Sequence, residues 1–325
     1  MSPRPGNYSL MPATATRTHT DTKMPVQSQP AAPSCQSSHH QISQTPEIPP
    51  MPTQLSYELT VQTLRSLRKK ASQSYISEHE MRQLKINCTD LEFDPTVFPP
   101  RADALLELMS PQEMQELAEQ HSFSGHRRIG YLDFTNFNTA AHVIDQFVHY
   151  LHRSDGSQYE DHPTLWDPML WEKSPWELFS PGDSSARLLH CIKPWKEQMW
   201  MVKYFLEIRD GSYPHITCFS INEARLREDT LLFSEVWCLL AMGLFSFLKP
   251  QNLKHKIIPV TMISGSSRQF RIVQGYANGD KGTIDLRKTR IVDLGEGEED
   301  GEEQHWHEFM TFMRWILARP VGETT

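Results

Sequence analysis

The apolar pattern changes character along the chain. From Leu55 to Leu67 apolar side chains recur at helical spacing. Arg65, Arg68, Lys69 and Lys70 gather towards the end of that stretch, where cations complement a helix dipole. Ser77-x-x-Glu80 and Ser110-Pro111-x-Glu113 carry the pattern of a capping box and predict short helices, with a break at Phe98-Pro99-Pro100. Thr139 to His152 predicts another helix, its core face formed by Val143, Ile144, Phe147, Val148 and Leu151. Past Met199 the pattern turns to short β-prone runs. Met199 to Arg209 and His215 to Asn222 predict two strands joined around Asp210-Gly211. Lys256 to Ile263, Gln269 to Tyr276, Gly282 to Leu286 and Ile291 to Leu294 predict more strands, with turns at Gly265 and Asn278-Gly279. Between the two sets lies Leu231 to Leu248, apolar except for Ser234, Glu235 and Ser246. Its Glu235 and the closing Lys249-Pro250 favour a buried helix over a membrane span. A final amphipathic helix is predicted from Gln304 to Ala318.

These elements predict an α+β fold: a largely antiparallel sheet with a buried helix and a C-terminal helix. A helical region, residues 55–152, precedes the α+β domain of residues 153–325. The head, residues 1–54, holds ten prolines among many Ser, Thr and Gln, and is expected to be disordered because it can bury little apolar surface. Its run Thr45 to Pro52 favours polyproline II, a tether or a ligand for a proline-binding module. Residues 153–198 mix Trp166, Trp171, Trp176 and Trp195 with frequent prolines. The tryptophans are expected to pin this irregular segment by burying apolar area; the functional alternative is a stacking platform.

Charge narrows the partners. The net charge of the 325-residue chain is -8, but the acidic loop 293–303 alone holds seven acids and no Lys or Arg. The remainder is close to neutral, so nucleic acid is not favoured as a partner. A protein partner is expected through the head or the acidic loop. The cysteines Cys35, Cys88, Cys191, Cys218 and Cys238 show no CxxC spacing and point to a reducing compartment. With no apolar signal segment at the N-terminus, the cytoplasm or nucleus is expected.

Little of the sequence carries chemistry. There is no GxGxxG, P-loop or HExxH pattern. His39-His40 and the pair His149 and His152 lack further ligands nearby. His305 and His307 lie beside Glu302, Glu303 and Glu308, which reads as a solvated helix start rather than a metal site. The exception is the end of the second strand. If the strand continues, Thr217, Phe219, Ile221, Glu223 and Arg225 share one face.

Ile221-Asn222-Glu223-Ala224-Arg225-Leu226 resembles the E-x-K strand of the PD-(D/E)XK nuclease superfamily. The resemblance implies a divalent metal such as magnesium, bound by an Asp and this Glu, with the Lys supporting the attacking water. Here Arg225, a poor proton carrier, replaces the Lys. Asp210 lies at the far end of the hairpin, roughly 25 to 40 Å from Glu223 at about 3.3 Å per residue. The position opposite Glu223 falls near Trp200, which leaves Glu197 as the second ligand of a nuclease using Glu223, Arg225 and Glu197. The structural alternative is a Glu223–Arg225 pair that ties the strand end to the following helix. More broadly, the chain from Trp200 onward resembles an uncharacterised family of filamentous-fungal proteins. The likeness rests on Phe219 to Leu226, Ile258 to Ser264, Arg271 to Tyr276 and Arg319-Pro320-Val321-Gly322. It implies no established activity. The expectation is a non-enzymatic binding or accessory protein without a cofactor, in the setting of a fungal secondary-metabolite pathway, with a divergent nuclease-like domain as the alternative.

Overall fold

A computed structural model of the chain describes residues 52–95, 104–120, 135–152, 174–179, 199–295 and 302–325. The head through Met51, Trp166, Trp171, Trp195, Glu197 and acidic-loop residues 296–301 lie outside the described residues, as do the side chains of His149 and His152. The Pro-Pro break at Phe98 lies outside them too.

The strand-forming runs assemble into an eight-stranded sheet. Its members are β2 (Ile86–Asp90), β4 (Trp176–Phe179), β5 (Trp200–Ile208), β6 (Ile216–Asn222), β8 (Val260–Ser266), β9 (Gln269–Asn278), β10 (Thr283–Lys288) and β11 (Val292–Asp293). The order across the sheet is β2-β10-β9-β8-β6-β5-β4, with β11 also pairing β9. Most neighbours are antiparallel, as the short turns predict. The parallel pairs are β6 with β8 and β10 with β2. A parallel pair needs a crossover connection, and the long apolar helix α5 (Phe233–Phe247) supplies it between β6 and β8. Among the described residues no helix is long and apolar enough to cross a membrane.

Helices cover both faces of the sheet. α1 (Pro52–Arg68) and α5 pack on one face, where Leu67, Phe233, Met242, Cys218, Met262 and Val273 share a core. On the other face α4 (Asn136–His152) and α6 (Glu302–Ile316) close over Phe147, Ile263, Phe270, Phe312 and Trp315. α3 (Pro111–Gln120) packs beside α6. Each large apolar side chain withdrawn this way contributes about 1.5–3 kcal/mol, so both layers matter to stability.

Several predicted boundaries shift. Helix α1 begins at Pro52, inside the segment whose composition reads as head, and the single Thr53 hydroxyl proton is shared between the carbonyls of Leu253 and His255, each 2.9 Å away. Tertiary anchoring overrides a disorder-prone composition there. The region 55–152 is not purely helical. Besides α2 (Glu78–Gln83) it holds β1 (Tyr75–Ile76), β2 and β3 (Leu106–Glu107). β1 pairs with β7 (Leu231–Leu232), so the apolar helix starts two residues later than its hydrophobicity indicates. β2, from the region 55–152, joins the same sheet beside β10. Strands this short rely on partners nearly 200 residues away, which no local pattern announces. Gly265 is not a turn residue either; it lies inside β8, opposite Phe270. A Cβ on it would come within 2.2 Å of the Phe270 ring, so the close approach requires glycine.

Both capping boxes form. At α2 the Ser77 hydroxyl accepts from the Glu80 amide and the Glu80 carboxylate accepts from the Ser77 amide. At α3 Ser110 and Glu113 do the same. Glu80 also accepts from the Lys70 ammonium at 2.6 Å, and that bond leads the causes that hold its carboxyl down to about 2.

Candidate functional site

The end of β6 is where the polar groups converge, and it presents different chemistry to the two faces of the sheet. β5 and β6 pair with Trp200 opposite Asn222, and the Glu223 amide donates to the Met199 carbonyl at 2.9 Å. The residue facing Glu223 is therefore Met199, next to the Trp200 that strand length indicates. Asp210 lies past the other end of the hairpin, where its carboxylate accepts from the Ser212 amide.

On the α4 face, Glu223 is half-buried and engaged by helix α4. Its Oε2 accepts the Phe137 amide at 3.0 Å, and its main-chain carbonyl accepts from Asn136 Nδ2 at 3.1 Å. The first turn of a helix has amides without intrahelical partners and a positive dipole end. Glu223 satisfies one of these amides, while Thr135 caps another through the Asn138 amide. The pair expected between Glu223 and Arg225 does not form. Arg225 is exposed, and its backbone carbonyl instead accepts the Tyr75 hydroxyl at 2.9 Å. Through Glu223 the strand end is thus tied to α4. Glu197 lies outside the described residues, so only Glu223 and Arg225 of the nuclease-like trio are placed.

Lower on the same face is a charged cluster that sequence reading passed over. A β-bulge between Val202 and Tyr204 shifts the register of β5. It lets Lys203 and Tyr204, adjacent in sequence, both reach α4. Lys203 Nζ donates to Asp145 Oδ2 at 2.6 Å and to the Ala141 carbonyl at 3.1 Å; the Tyr204 hydroxyl donates to Asp145 Oδ1 at 3.1 Å. Burial, then the Asp145 charge, raises the Tyr204 phenol. The signal in the sequence is two consecutive polar-tipped residues, Lys203 and Tyr204, in the middle of a mostly apolar strand.

On the α5 face the polar groups are sealed in. Asn222 accepts from the Ser234 hydroxyl at 2.5 Å and donates to Ser264 Oγ and the Gly265 carbonyl, both at 3.2 Å. One turn into α5, Glu235 accepts the Leu232 amide and so caps its own helix. Arg271 on β9 binds that carboxylate through Nε at 2.8 Å and Nη2 at 2.5 Å. Its Nη1 donates to the Arg227 carbonyl at 2.8 Å, pinning the loop after Glu223. Burial lowers the Arg271 pKa, and the Glu235 charge more than offsets this, leaving a net upward shift. The anion-favouring end of α5 is thus already filled by the chain's own carboxylate.

Of the other candidates, His307 and Glu308 have structural partners. His307 pairs with Asp94 at 3.1 Å, Arg314 with Asp94 at 2.5 Å, and Arg290 with Glu308 at 2.9 Å. Among the described residues, no group of three or more His, Cys, Asp or Glu is arranged to hold a metal ion. The thiols of Cys218 and Cys238 are fully buried, and burial raises both. The Trp176 indole, in the connection expected to be pinned by tryptophans, is buried and donates to the Ala318 carbonyl at 2.7 Å.

No family model, curated protein or solved structure matches the chain.

Proposed function

We propose that the protein is a non-enzymatic binding or accessory protein, and that its most catalytic-looking residue serves the fold. One observation carries this reading: the Glu223 carboxylate accepts the Phe137 amide at the start of α4. A carboxylate spent on a helix terminus has less capacity to hold a metal and position water. The exposed Arg225, turned to solvent rather than to Glu223, agrees with it. The fungal-family resemblance extends the proposal to an accessory role in a biosynthetic pathway, in cytoplasm or nucleus, with a protein partner engaging the head or the acidic loop 293–303.

The test is cleavage of single- and double-stranded DNA with magnesium by the wild type and Glu223→Ala. The proposal expects the same background from both. Cleavage by the wild type that disappears in Glu223→Ala and in Glu197→Ala replaces it with the divergent PD-(D/E)XK nuclease reading.

A further inference from the structure

The end of the sheet opposite Glu223, where β6 and β8 begin, contains two histidines whose positions no role above explains. His215 immediately precedes β6 and is 2% exposed, and neither of its ring nitrogens has a hydrogen-bond partner. His255, at the entry to β8, is 3% exposed; its Nδ1 lies 2.8 Å from Thr324 Oγ1, and its Nε2 has no partner. Buried polar atoms are ordinarily satisfied, so two buried imidazoles this weakly bonded at one end of one sheet call for a physical reason.

Both rings are covered by the segment that follows α6. Arg319–Pro320 form β12, antiparallel to β3. The Val321 amide then donates to the Leu105 carbonyl at 3.0 Å. Gly322 turns with φ +89°, in a space where a Cβ would lie 2.9 Å from the Ala104 carbonyl oxygen. The Thr324 carbonyl accepts from the Lys256 and Ile257 amides at 2.6 and 3.3 Å. The segment is anchored above by buried Leu317 and Ala318, the latter holding the Trp176 indole. Beyond Ala318 these bonds from Val321, Lys256, Ile257 and His255 are main-chain or hydroxyl bonds that water can replace.

We infer that Arg319–Thr325 is an acid-released strap, closed while His215 and His255 are neutral and opened when they take up protons. In the closed form burial opposes charge on either ring, and at His215 the main-chain groups of Leu105 and Val321 offset this only in part. In the open form solvent surrounds the rings, so proton uptake and opening are linked. Tyr213 stacks edge-on to His215 at 5.9 Å. The charged groups on the surrounding elements are Glu107 on β3, Arg319 and Glu323 on the strap, and Lys254 and Lys256 beside His255. Lys254 opposes a proton on His255, and His255 opposes one on His215. Burial is the larger cause in both, and the main-chain groups of Leu105 and Val321 only partly offset it at His215.

The experiment is amide hydrogen exchange on the full chain at pH 7.5 and pH 5, with rates normalised to the intrinsic exchange at each pH. Protection of Val321, Lys256 and Ile257 is expected to fall by tenfold or more at pH 5 while amides within β8 and β9 hold. The variant His215→Asn/His255→Asn is expected to show strap protection independent of pH. Equal strap protection at both pH values in the wild type overturns the inference. So does loss in step with β8 and β9, which is global unfolding. Should the double variant not fold, NMR titration of the two rings in the wild type decides. Proton uptake must coincide with strap opening, and rings that charge under a closed strap sink the idea.

Discussion

Arg271 and Glu235 meet through two hydrogen bonds at the start of α5, and neither side chain is exposed to solvent. The carboxylate is also the cap of its helix, and the guanidinium also holds the Arg227 carbonyl. The pair therefore joins β9, α5 and the loop after β6 at one point. Buried ion pairs of this kind add little net stability against an apolar replacement, but removing one partner strands a buried charge. Arg271→Ala is expected to lower stability by about 3–5 kcal/mol. Arg271→Met combined with Glu235→Leu is expected to recover part of that loss. Urea unfolding of the wild type and both variants measures the difference.

Glu223 as a helix cap makes a smaller, separable prediction. Glu223→Ala removes one amide acceptor and one favourable dipole contact, an effect of about 1 kcal/mol. Arg225→Ala, at an exposed position, is expected to stay within about 0.5 kcal/mol of wild type. Comparable losses from both variants in thermal melts contradict the assignment of Glu223 to α4.

The bulge cluster is best read through Tyr204. Its phenol is raised by burial and by Asp145. Asp145→Asn is expected to move the Tyr204 titration back towards the usual tyrosine range, followed by NMR of the ring carbon. The Lys203–Asp145 pair is partly exposed, so its loss is expected to lower stability by no more than about 1 kcal/mol. An unmoved Tyr204 shows that the phenol does not sense Asp145.

Gly265 tests the packing of the β8–β9 pair. A methyl group there meets the Phe270 ring at 2.2 Å. Gly265→Ala is expected to destabilise by about 1–3 kcal/mol, as overpacking does. Phe270→Leu in the same chain makes room, so the double variant is expected to lose less than the two single effects added together. Simple additivity in urea melts counts against a steric origin.

His215 contributes to the pH dependence of global stability. Burial lowers its imidazole from 6.5 to about 4. The unfolded chain takes up the proton first, so the stabilising effect is complete above pH 6.5 and is lost as the pH falls to about 4. Strap opening lets His215 take up its proton while the sheet stays folded, so the loss is expected to stay below about 3 kcal/mol, and His215→Asn is expected to flatten that window in urea titrations. A second loss follows at lower pH, as Glu80, held down to about 2, becomes protonated.

Local chemistry was legible where the partners are close in sequence. Ser77 and Glu80 are three residues apart and formed the capping box their spacing specifies. The hairpin register that separates Asp210 from Glu223 followed from strand length and one turn. Alternation and apolar runs likewise indicated the strands β5, β6, β8, β9 and β10 and the buried helix α5, because burial repeats with the period of the backbone. What each polar side chain does was set elsewhere. Glu223 binds an amide 86 positions away, Arg271 a carboxylate 36 away, and β2 lies against a strand on the other side of the sequence. Sequence spacing constrains a few turns of chain, whereas such contacts depend on how whole layers stack. By itself the sequence determined an α+β chain with a buried helix and a polar strand end. Only the tertiary structure decided that Glu223 serves α4, because the helix terminus lacking an acceptor is brought there by packing on the same face of the sheet.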